Sequence, residues 1–435
     1  MKRSIDRACA AERAHGVPRA TWWLLASLYT TQYLGLGFFM VALVAILRER
    51  GVPLEQLGMV YLLGMVWPLK FLWAPLVDKI GLDRWGHYRS WLILMQAGLV
   101  ATFLVMGWLL PIDDFLIVYL LCLLVALLSA TQDVAVDGLT CRLLSSAERG
   151  LGNGIKIAGN LLGNMLGGGL VLMAYPYLGW QVSMSILAVG TGVSLVQLMW
   201  FREPVWSTVR TSSANLIRRI GALWRRPGGS HWFMLLLLYP VGTGLAYALI
   251  TPILVDADWG LERIGFTVNV LGSLLGVSSA LLTGWLLRWI DRRKAVIGAA
   301  VIQIPGIVAI ALPALGYADF GVTTAAVGLY FLVYNPAATV LSTLMMDRAS
   351  VESPATDYAI QYGLHMAMAV GVMTVGTTLA GKLGYTLVLA IAALAAALAA
   401  ILSLGYRNEG DAQVAVDQAE TREAAAPQPA LEEVG

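Results

Sequence analysis

Four charged side chains stand inside otherwise apolar segments of this chain: Lys70, Asp133, Asp137 and Lys156. A charge at the centre of a bilayer costs about 2.5–3.5 kcal/mol on insertion scales, so such residues face protein or water and pair with one another. Asp133 and Asp137 are four residues apart and share one helix face. Lys70 and Asp133 both lie about 12 Å along a helix from the ends of their segments. The sequence therefore predicts one buried network of two acids and two bases.

Two roles fit such a network. In the first, a carboxylate exchanges its lysine partner for a proton during a transport cycle, because losing the partner changes its proton affinity. In the second, the charges only neutralise one another and fix helix packing, since buried ion pairs are weak evidence for anything more. The second half of the chain has no such cluster, only His365. This asymmetry favours the first role.

The segments that carry these charges are long enough to cross a membrane as helices. The chain has 435 residues, of which 58% are hydrophobic and 13% charged, with a mean hydropathy of +0.72. A spanning helix needs ~20 apolar residues, and the long continuous runs differ from the short alternating strands of a membrane barrel. The predicted spans are 21–47, 57–78, 90–110, 115–140, 151–173, 180–201, 231–255, 265–290, 295–315, 320–346, 357–379 and 385–405.

The distribution of loop charges predicts the orientation of these spans. Most Lys and Arg residues outside the spans fall on the side of the N-terminus and the even-numbered loops. The opposite loops hold Arg48, Arg50, Arg263 and Lys382. Positively charged loops stay in the cytoplasm, so both termini are predicted to be cytoplasmic. The run after the basic N-terminus is too long for a cleaved signal.

The chain divides into five predicted segments. They are a cytoplasmic N-tail (1–20), an N-terminal six-helix bundle (21–201), a cytoplasmic basic linker (202–230), a C-terminal six-helix bundle (231–405) and a disordered cytoplasmic tail (406–435). The linker is either an amphipathic helix on the membrane surface or a plain basic connection, and the tail has too few apolar residues to fold. A faint internal repeat relates the bundles. The predicted fold class is all-α integral membrane, with twelve helices in two pseudo-symmetric halves.

Two basic turns occupy matching places, each after the second span of its bundle. They contain Asp78, Lys79, Arg84 and Arg89 in the first bundle and Asp291, Arg292 and Arg293 in the second. The turns resemble the signature loop of the major facilitator superfamily, Gly-x-x-x-Asp-Arg/Lys-x-Gly-Arg-Arg/Lys. Ala74 replaces its first Gly, and Arg288 stands at the acidic position of the second copy. The resemblance implies that these residues form a charged latch, a cytoplasmic gate that holds one conformation closed.

Other stretches narrow the resemblance within that superfamily. The segments LKFLWAPLVD (69–78), ATQD (130–133) and ERG (148–150) are similar to AmpG-type muropeptide permeases and related acetyl-CoA transporters. The segments TTQYLGLGFF (30–39) and GHYR (86–89) look more like the siderophore permeases of the rhizobactin and pyochelin type. In the superfamily, spans five and eight meet at the seam between halves. Glycines four residues apart on these spans predict close helix contact there.

The cargo cavity is predicted to be aromatic. The candidate lining residues are Gln32, Tyr33, Phe38, Tyr247, Tyr330, Tyr334, Asn335 and His365. Aromatic walls suit flat, partly apolar ligands, whereas a heavily anionic cargo needs unpaired Arg or Lys groups, and no Arg lies in the interior of a predicted span. Some of these rings are alternatively interface anchors, and a helical His is more often a packing residue than a proton carrier.

These observations predict a secondary transporter of the bacterial inner membrane, monomeric and in contact with lipid and a small-molecule cargo. The main hypothesis is proton-coupled import, by alternating access, of a ferric siderophore or a similar amphiphilic small molecule. The alternatives are a muropeptide permease and a membrane-embedded acyltransferase-type enzyme. We predict no catalytic residues, cofactor, metal site, disulfide or nucleic-acid partner. Gly376 to Lys382 spells most of a phosphate-binding loop, but Leu383 replaces the required Ser or Thr. An ion gradient is therefore the predicted energy source.

Overall fold

The computed structural model describes residues 17–49, 60, 62–82, 84–110, 114–204 and 216–407. Most of the predicted N-tail, the predicted tail beyond residue 407 and part of the predicted linker lie outside these residues. Across the described residues the chain is built from helices, with no strand. This agrees with the all-α class that the apolar runs predict.

The described helices are labelled α1 to α12 in chain order. In the first half they are α1 (Arg19–Glu49), α2 in two pieces (Leu63–Leu72 and Ala74–Lys79), α3 (His87–Met106), α4 (Phe115–Leu143), and α5 and α6, which share the run Ser146–Trp200 and meet at Gly179. In the second half they are α7 (Gly229–Asp256), α8 (Glu262–Leu286), α9 (Arg292–Ala314), α10 (Phe320–Asp347), α11 (Pro354–Leu383) and α12 (Tyr385–Leu404). A linker helix (Leu216–Arg225) precedes α7.

Ten helical runs among the described residues are long and apolar enough to cross a membrane. One of them, Ser146–Trp200, has 55 residues, more than twice the ~20 that one crossing needs. It is divided at Gly179, whose φ of 71° lies in the left-handed region that glycine adopts without strain. Twelve spans were predicted. The difference of two arises because α5 and α6 form one run and because Leu63–Leu72 of α2 is shorter than a full span.

Two prolines explain why α2 is broken into two pieces. Pro68 and Pro75 each remove a backbone donor and crowd the preceding turn, which interrupts a regular helix. Between them, Lys70–Leu72 forms a tight 3-10 turn before the second piece begins at Ala74. The turn carries the Lys70 side chain into the protein, where it is fully buried.

The hydrophobic cores show where the two halves of the chain touch. One core lies wholly within α1–α6 and another wholly within α7–α12. Two more cores mix the halves: Cys141 of α4 packs in a core of the second half, and Ala355 and Ala359 of α11 pack in a core of the first. The mixed cores lie where α4 ends and α11 begins. This end, which carries Arg89, Arg149 and Arg292, is called the basic end.

Close backbone contact between α5 and α8 forms the seam between halves. A Cβ on Gly150 would lie 2.9 Å from the Gly284 carbonyl oxygen, and one on Gly154 would lie 2.7 Å from that of Ala280. The glycine repeat of α5 that the sequence suggested for this seam faces α1 instead, since a Cβ on Gly163 would meet the Thr30 oxygen at 2.3 Å. Small residues indicate that a helix has a close neighbour, but they do not say which one.

Candidate functional site

A ring of four buried charges lies where α2, α4 and α5 meet. The Lys70 ammonium contacts Asp133 Oδ2 and lies 3.6 Å from Asp137 Oδ2. The Lys156 ammonium lies 2.6 Å from Asp137 Oδ2 and 3.5 Å from Asp133 Oδ1. The four side chains are at most 1% exposed. The structure thus brings together the four charges that the sequence placed at matched depths, and we call them the charge quartet.

The quartet is neutral when both acids are ionised. Leaving one buried charge without a partner costs about 3–5 kcal/mol, so the four groups are held together. Each lysine touches both acids, so neutralising one acid still leaves each lysine a carboxylate partner. A cluster of this kind can therefore gain or lose a proton without leaving either lysine unpaired.

Helix α1 supports the quartet with neutral hydrogen-bond donors. Gln32 Nε2 donates to Asp133 Oδ1 at 3.1 Å, and the Tyr29 hydroxyl donates to Asp137 Oδ1 at 3.1 Å. Gln32 was predicted to line the cargo cavity, but the structure places it fully buried within this network. Its amide therefore orients a carboxylate rather than facing an open space.

Two tyrosines of α11 cover the quartet from the opposite half. The Lys70 ammonium lies 4.3 Å from the centre of the Tyr362 ring. The Lys156 ammonium lies 4.6 Å from the Tyr358 ring centre and 4.9 Å from that of Tyr362. These two residues are not among the predicted site residues. Their only signal was the four-residue spacing of two aromatic side chains near the start of a predicted span.

The predicted latch residue Asp78 joins the two halves at the basic end. Its Oδ2 accepts from the Thr356 backbone N–H at 2.7 Å and from the Thr356 hydroxyl at 2.6 Å. Its Oδ1 accepts from the Ala355 N–H at 3.3 Å and from the Tyr88 hydroxyl at 2.7 Å. The first N–H groups of a helix have no partner within it, and Ser353 makes no capping bond with its own side chain. A carboxylate of the first half thus caps α11 of the second.

A second cross-half contact centres on Asp347 at the end of α10. Arg149 of α5 donates to its Oδ1 at 3.0 Å, and Arg292 donates to its Oδ2 at 2.8 Å. Arg292 was a predicted latch residue, whereas Arg149 and Asp347 were not selected. Arg149 belongs to the ERG stretch (148–150) of the AmpG-type resemblance, and Asp347 directly follows a predicted span. The sequence alone does not pair charges 198 positions apart.

The other predicted latch residues act within their own halves or lie at the surface. Arg89 donates to the carbonyls of Leu198 and Met199 at 2.9 and 3.0 Å, which satisfies the end of α6. Asp291 caps α9 by accepting from the Arg293 N–H at 2.9 Å. Three of the predicted latch residues are exposed at the surface: Lys79, Arg84 and Arg293.

Glu203, which the sequence analysis did not select, caps α3 beside the latch. It accepts from the backbone N–H groups of Tyr88 and Arg89 at 3.2 and 2.7 Å. Burial raises the pKa of this carboxyl, although those two hydrogen bonds favour its ionised form. Glu203 and Arg89 thus tie α3 to α6 beside Asp78.

A cavity of about 350 Å³ lies between α7, α8 and α11, remote from the basic end. Its walls combine a ring and hydroxyl groups with apolar side chains: Tyr247, Ala248, Ile250, Thr251, Val268, Met373, Thr374 and Thr377. Thr251 follows the start of α7 by 22 residues, about 33 Å along a helix, which puts the cavity near the far end. Tyr247 is 40% exposed and is the predicted cargo residue that lines this space.

The remaining predicted cargo residues stack behind this wall or pack elsewhere. Tyr330 stacks on Tyr334 at 5.7 Å, and its hydroxyl donates to the Thr243 carbonyl at 2.9 Å. Tyr33 is 7% exposed, and its ring centre lies 6.0 Å from that of Trp67. Asn335 donates within its own helix, to Phe331 O at 2.8 Å.

Phe38 and His365 are not on the cavity wall. Phe38 is fully buried in the first-half core, with its ring centre 5.8 Å from that of Trp180. The His365 Nδ1 lies 3.3 Å from the Leu236 carbonyl, a packing contact between α11 and α7. No group of His, Cys, Asp and Glu in the described part of the chain could hold a metal ion.

Comparison with known proteins gives several relatives that are named as muropeptide permeases or AmpG-type transporters. The anhydromuropeptide permease of Escherichia coli K12 is 27% identical over 257 residues, which cover 58% of this chain and 52% of the permease. A putative transporter AmpG 3 of Rickettsia typhi is 23% identical over 334 residues, covering 72% and 79% of the two chains. The chain thus spans about half the length of the E. coli permease. These relatives support the AmpG-like resemblance but give no support to a closer likeness to siderophore permeases.

The fold has a solved counterpart. The human organic anion transporter MFSD10 superposes with a TM-score of 0.67 over 89% of this chain and all of that one, at 15% identity. At that identity the likeness concerns the fold alone. Residues 25–365 match the Major Facilitator Superfamily, which is most of the chain. This multi-pass membrane protein therefore belongs to the Major Facilitator Superfamily of transporters.

Proposed function

We propose that the protein is a secondary transporter that works by alternating access, and that the structure represents the state closed at the basic end. The observation that carries this proposal is the distribution of contacts between the halves. The mixed cores, the Asp78 cap and the Asp347 contacts all lie at the basic end. The cavity lies toward the other end, between helices of the second half.

The proposed topology has twelve spans and a cytoplasmic basic end. In this proposal α5 and α6 each cross the membrane once, and α2 crosses despite its break at Lys70. The bundles 21–201 and 231–405 move against each other about the α5–α8 seam, joined by the segment 202–230. Basic loops stay cytoplasmic, so the cavity opens to the outside of the bacterial inner membrane.

The proposed energy source is the proton gradient, acting on the charge quartet. Asp133 and Asp137 are the titratable pair, and Lys70 and Lys156 keep the site paired in both protonation states. Support comes from the mutual contacts of the four groups and their complete burial. Buried acids that face lysines within a membrane protein are a common basis of proton coupling.

The proposed cargo is of the muropeptide class, an amino sugar with attached amino acids. The support is the muropeptide permease among the relatives, together with a cavity wall that offers the Tyr247 ring beside three threonine hydroxyls. A sugar presents apolar C–H faces and several hydroxyls, and both find partners on such a wall. The protein works as a monomer in this proposal.

The test is uptake of labelled anhydromuropeptide into proteoliposomes that contain the purified protein, with and without an imposed proton gradient. We expect accumulation that requires the gradient and is lost in Asp133→Asn and Asp137→Asn. Equal uptake by protein-containing and empty vesicles would refute the cargo. Gradient-independent accumulation by the wild type would refute the coupling.

A ferric siderophore is the second candidate cargo, and the aromatic group behind the cavity favours it. Tyr247, Tyr330 and Phe331 lie within 5.5–6.4 Å of one another, measured between ring centres. An aromatic group of this kind suits flat, partly apolar chelates. The same vesicles, offered an iron chelate labelled in the metal, distinguish the two cargoes, since each predicts uptake of one substrate and not of the other.

A further inference from the structure

The two α11 tyrosines are the second-half side chains that contact the charge quartet. Tyr358 and Tyr362 are four residues apart, on one helix face, and their rings stack at 6.2 Å with an interplanar angle of 14°. Tyr358 is fully buried and Tyr362 is 9% exposed. Both rings present their faces to ammonium groups that belong to the first half.

The distances fit cation–π contacts. An ammonium within about 6 Å of a ring centre is attracted by the electron-rich face, and the attraction is stronger away from water. The Tyr362 ring is shared, since Lys70 lies 4.3 Å from its centre and Lys156 lies 4.9 Å from it. Lys156 also lies 4.6 Å from the Tyr358 ring and 3.4 Å from its hydroxyl. The two lysine ammonium groups of the quartet thus contact the second half of the chain.

Each ammonium is held over its ring by the acids on the other side. Asp133 and Asp137 contact both lysines, and Tyr29 of α1 hydrogen-bonds Asp137. Four other titratable groups face the site: Tyr33, which hydrogen-bonds Tyr362, Tyr29, whose ring centre is 5.7 Å from the Lys156 ammonium, Cys141 near Asp137, and Tyr334 near Tyr362. A lysine has four rotatable side-chain bonds, so its ammonium is held less firmly over the ring when one of its two carboxylate contacts weakens.

We propose that Tyr358 and Tyr362 are positioning residues that link the charge of the quartet to closure of the basic end. The cation–π contacts exist only while the two halves are together, so they stabilise the closed state alone. Protonation of Asp133 or Asp137 loosens the lysine anchors, weakens the contacts and favours separation at the basic end. This proposal rests on the quartet as the proton site of the proposed function.

Matched variants separate the ring face from packing and from the hydroxyl. Tyr→Phe keeps the aromatic face and removes the hydroxyl, whereas Tyr→Leu keeps apolar volume and removes the face. We expect Tyr362→Phe and Tyr358→Phe to behave like the wild type. We expect the Leu variants to move the closed–open equilibrium about 10-fold toward separation at the basic end.

The measurement is the distance between spin labels on the full-length protein in lipid nanodiscs. The labels are attached through Ala147→Cys and Val351→Cys. Ala147 lies in the first turn of α5 and Val351 in the α10–α11 loop, so the two positions are on opposite halves, and both are exposed. The natural cysteines Cys9, Cys122 and Cys141 are replaced by Ala. The wild type should show a short distance whose population falls at acidic pH. In the Leu variants the ratio of long to short distances should be about 10-fold higher and should change less with pH.

A double-mutant cycle distinguishes a cation–π contact from simple packing. Tyr358 contacts Lys156, so the effect of Tyr358→Leu should largely vanish in a Lys156→Met background. An equal effect in both backgrounds, or equal behaviour of the Leu and Phe variants, would overturn the proposal. If Lys156→Met does not fold, the Phe and Leu comparison decides alone. The measurement needs neither cargo nor gradient, so a failure of the proposed cargo leaves it valid.

Discussion

The Asp78 cap on α11 offers a sharp test of how the basic end is held closed. Asp78 is 4% exposed and accepts three hydrogen bonds from Ala355 and Thr356 across the seam. Asp78→Asn keeps the shape of the side chain. The variant loses the negative charge, and one of its two acceptor atoms becomes a donor.

The expected loss follows from these contacts. A hydrogen bond to a charged group contributes about 1.5–3 kcal/mol and a neutral one about 0.5–1.5 kcal/mol. Each bond that becomes neutral therefore loses about 1 kcal/mol, and two of them lower the stability of the closed state by about 2 kcal/mol. A negative charge at a helix N-terminus adds about 0.3–1 kcal/mol. The closed state should lose about 2–3 kcal/mol, which changes the equilibrium about 30- to 150-fold.

The assay is the label distance between Ala147→Cys and Val351→Cys, measured in nanodiscs. The matched control is Asp319→Asn, because Asp319 caps α10 by accepting from the Gly321 N–H at 2.9 Å within one half. That variant should lower thermal stability without changing the distance distribution. An unchanged distribution in Asp78→Asn would show that its hydrogen bonds are equally strong in both states, which refutes the reasoning.

Three further outcomes follow from the same contacts. Asp137→Asn should abolish gradient-driven accumulation and reduce the yield of folded protein, because Lys156 loses its carboxylate contact at 2.6 Å. Adding Lys156→Met should restore the yield but not the accumulation. A detergent-stability assay measures the first effect and an uptake assay the second. Asp347→Arg should open the basic end by about 10-fold or more, and a second change, Arg149→Asp, should partly restore closure in the label-distance assay, unless the Arg149 contact contributes nothing. Tyr247→Ala should raise the cargo concentration for half-maximal uptake about 10-fold, with Tyr247→Phe near the wild type; equal kinetics in all three proteins would place the cargo elsewhere.

The charge quartet could be predicted from the sequence because it depends on the depth of each residue along its helix. Helical rise converts residue number into depth, and a charge in a membrane must find a partner. Lys70, Asp133, Asp137 and Lys156 therefore had few possible arrangements. Their role in coupling stays a prediction.

Contacts between helices that are distant in sequence could not be predicted in this way. Tyr358, Asp347 and Arg149 act across the seam, and helix periodicity gives the face of a residue without naming the helix it meets. The same limit explains Gln32 and Phe38, which share an aromatic, polar stretch with Tyr33 but point into the first-half core and network. Cargo candidates chosen by type alone could not separate the two directions.

The structure also constrains what any cargo must do. In the proposed cycle, Asp78, Asp347 and the two tyrosine contacts hold the basic end closed, and each of these contacts is lost when the halves separate there. A ligand shifts such an equilibrium only by its difference in affinity between the two states, and a shift from 1:99 to 99:1 takes about 5.5 kcal/mol. A cargo bound only to the Tyr247 wall of the second half would bind both states equally and would not drive the change. In the proposed cycle the productive cargo must therefore also touch the first half in one of the two states, where half-buried Asn160 of α5 accepts a hydrogen bond from Gln32 Nε2 at 3.3 Å.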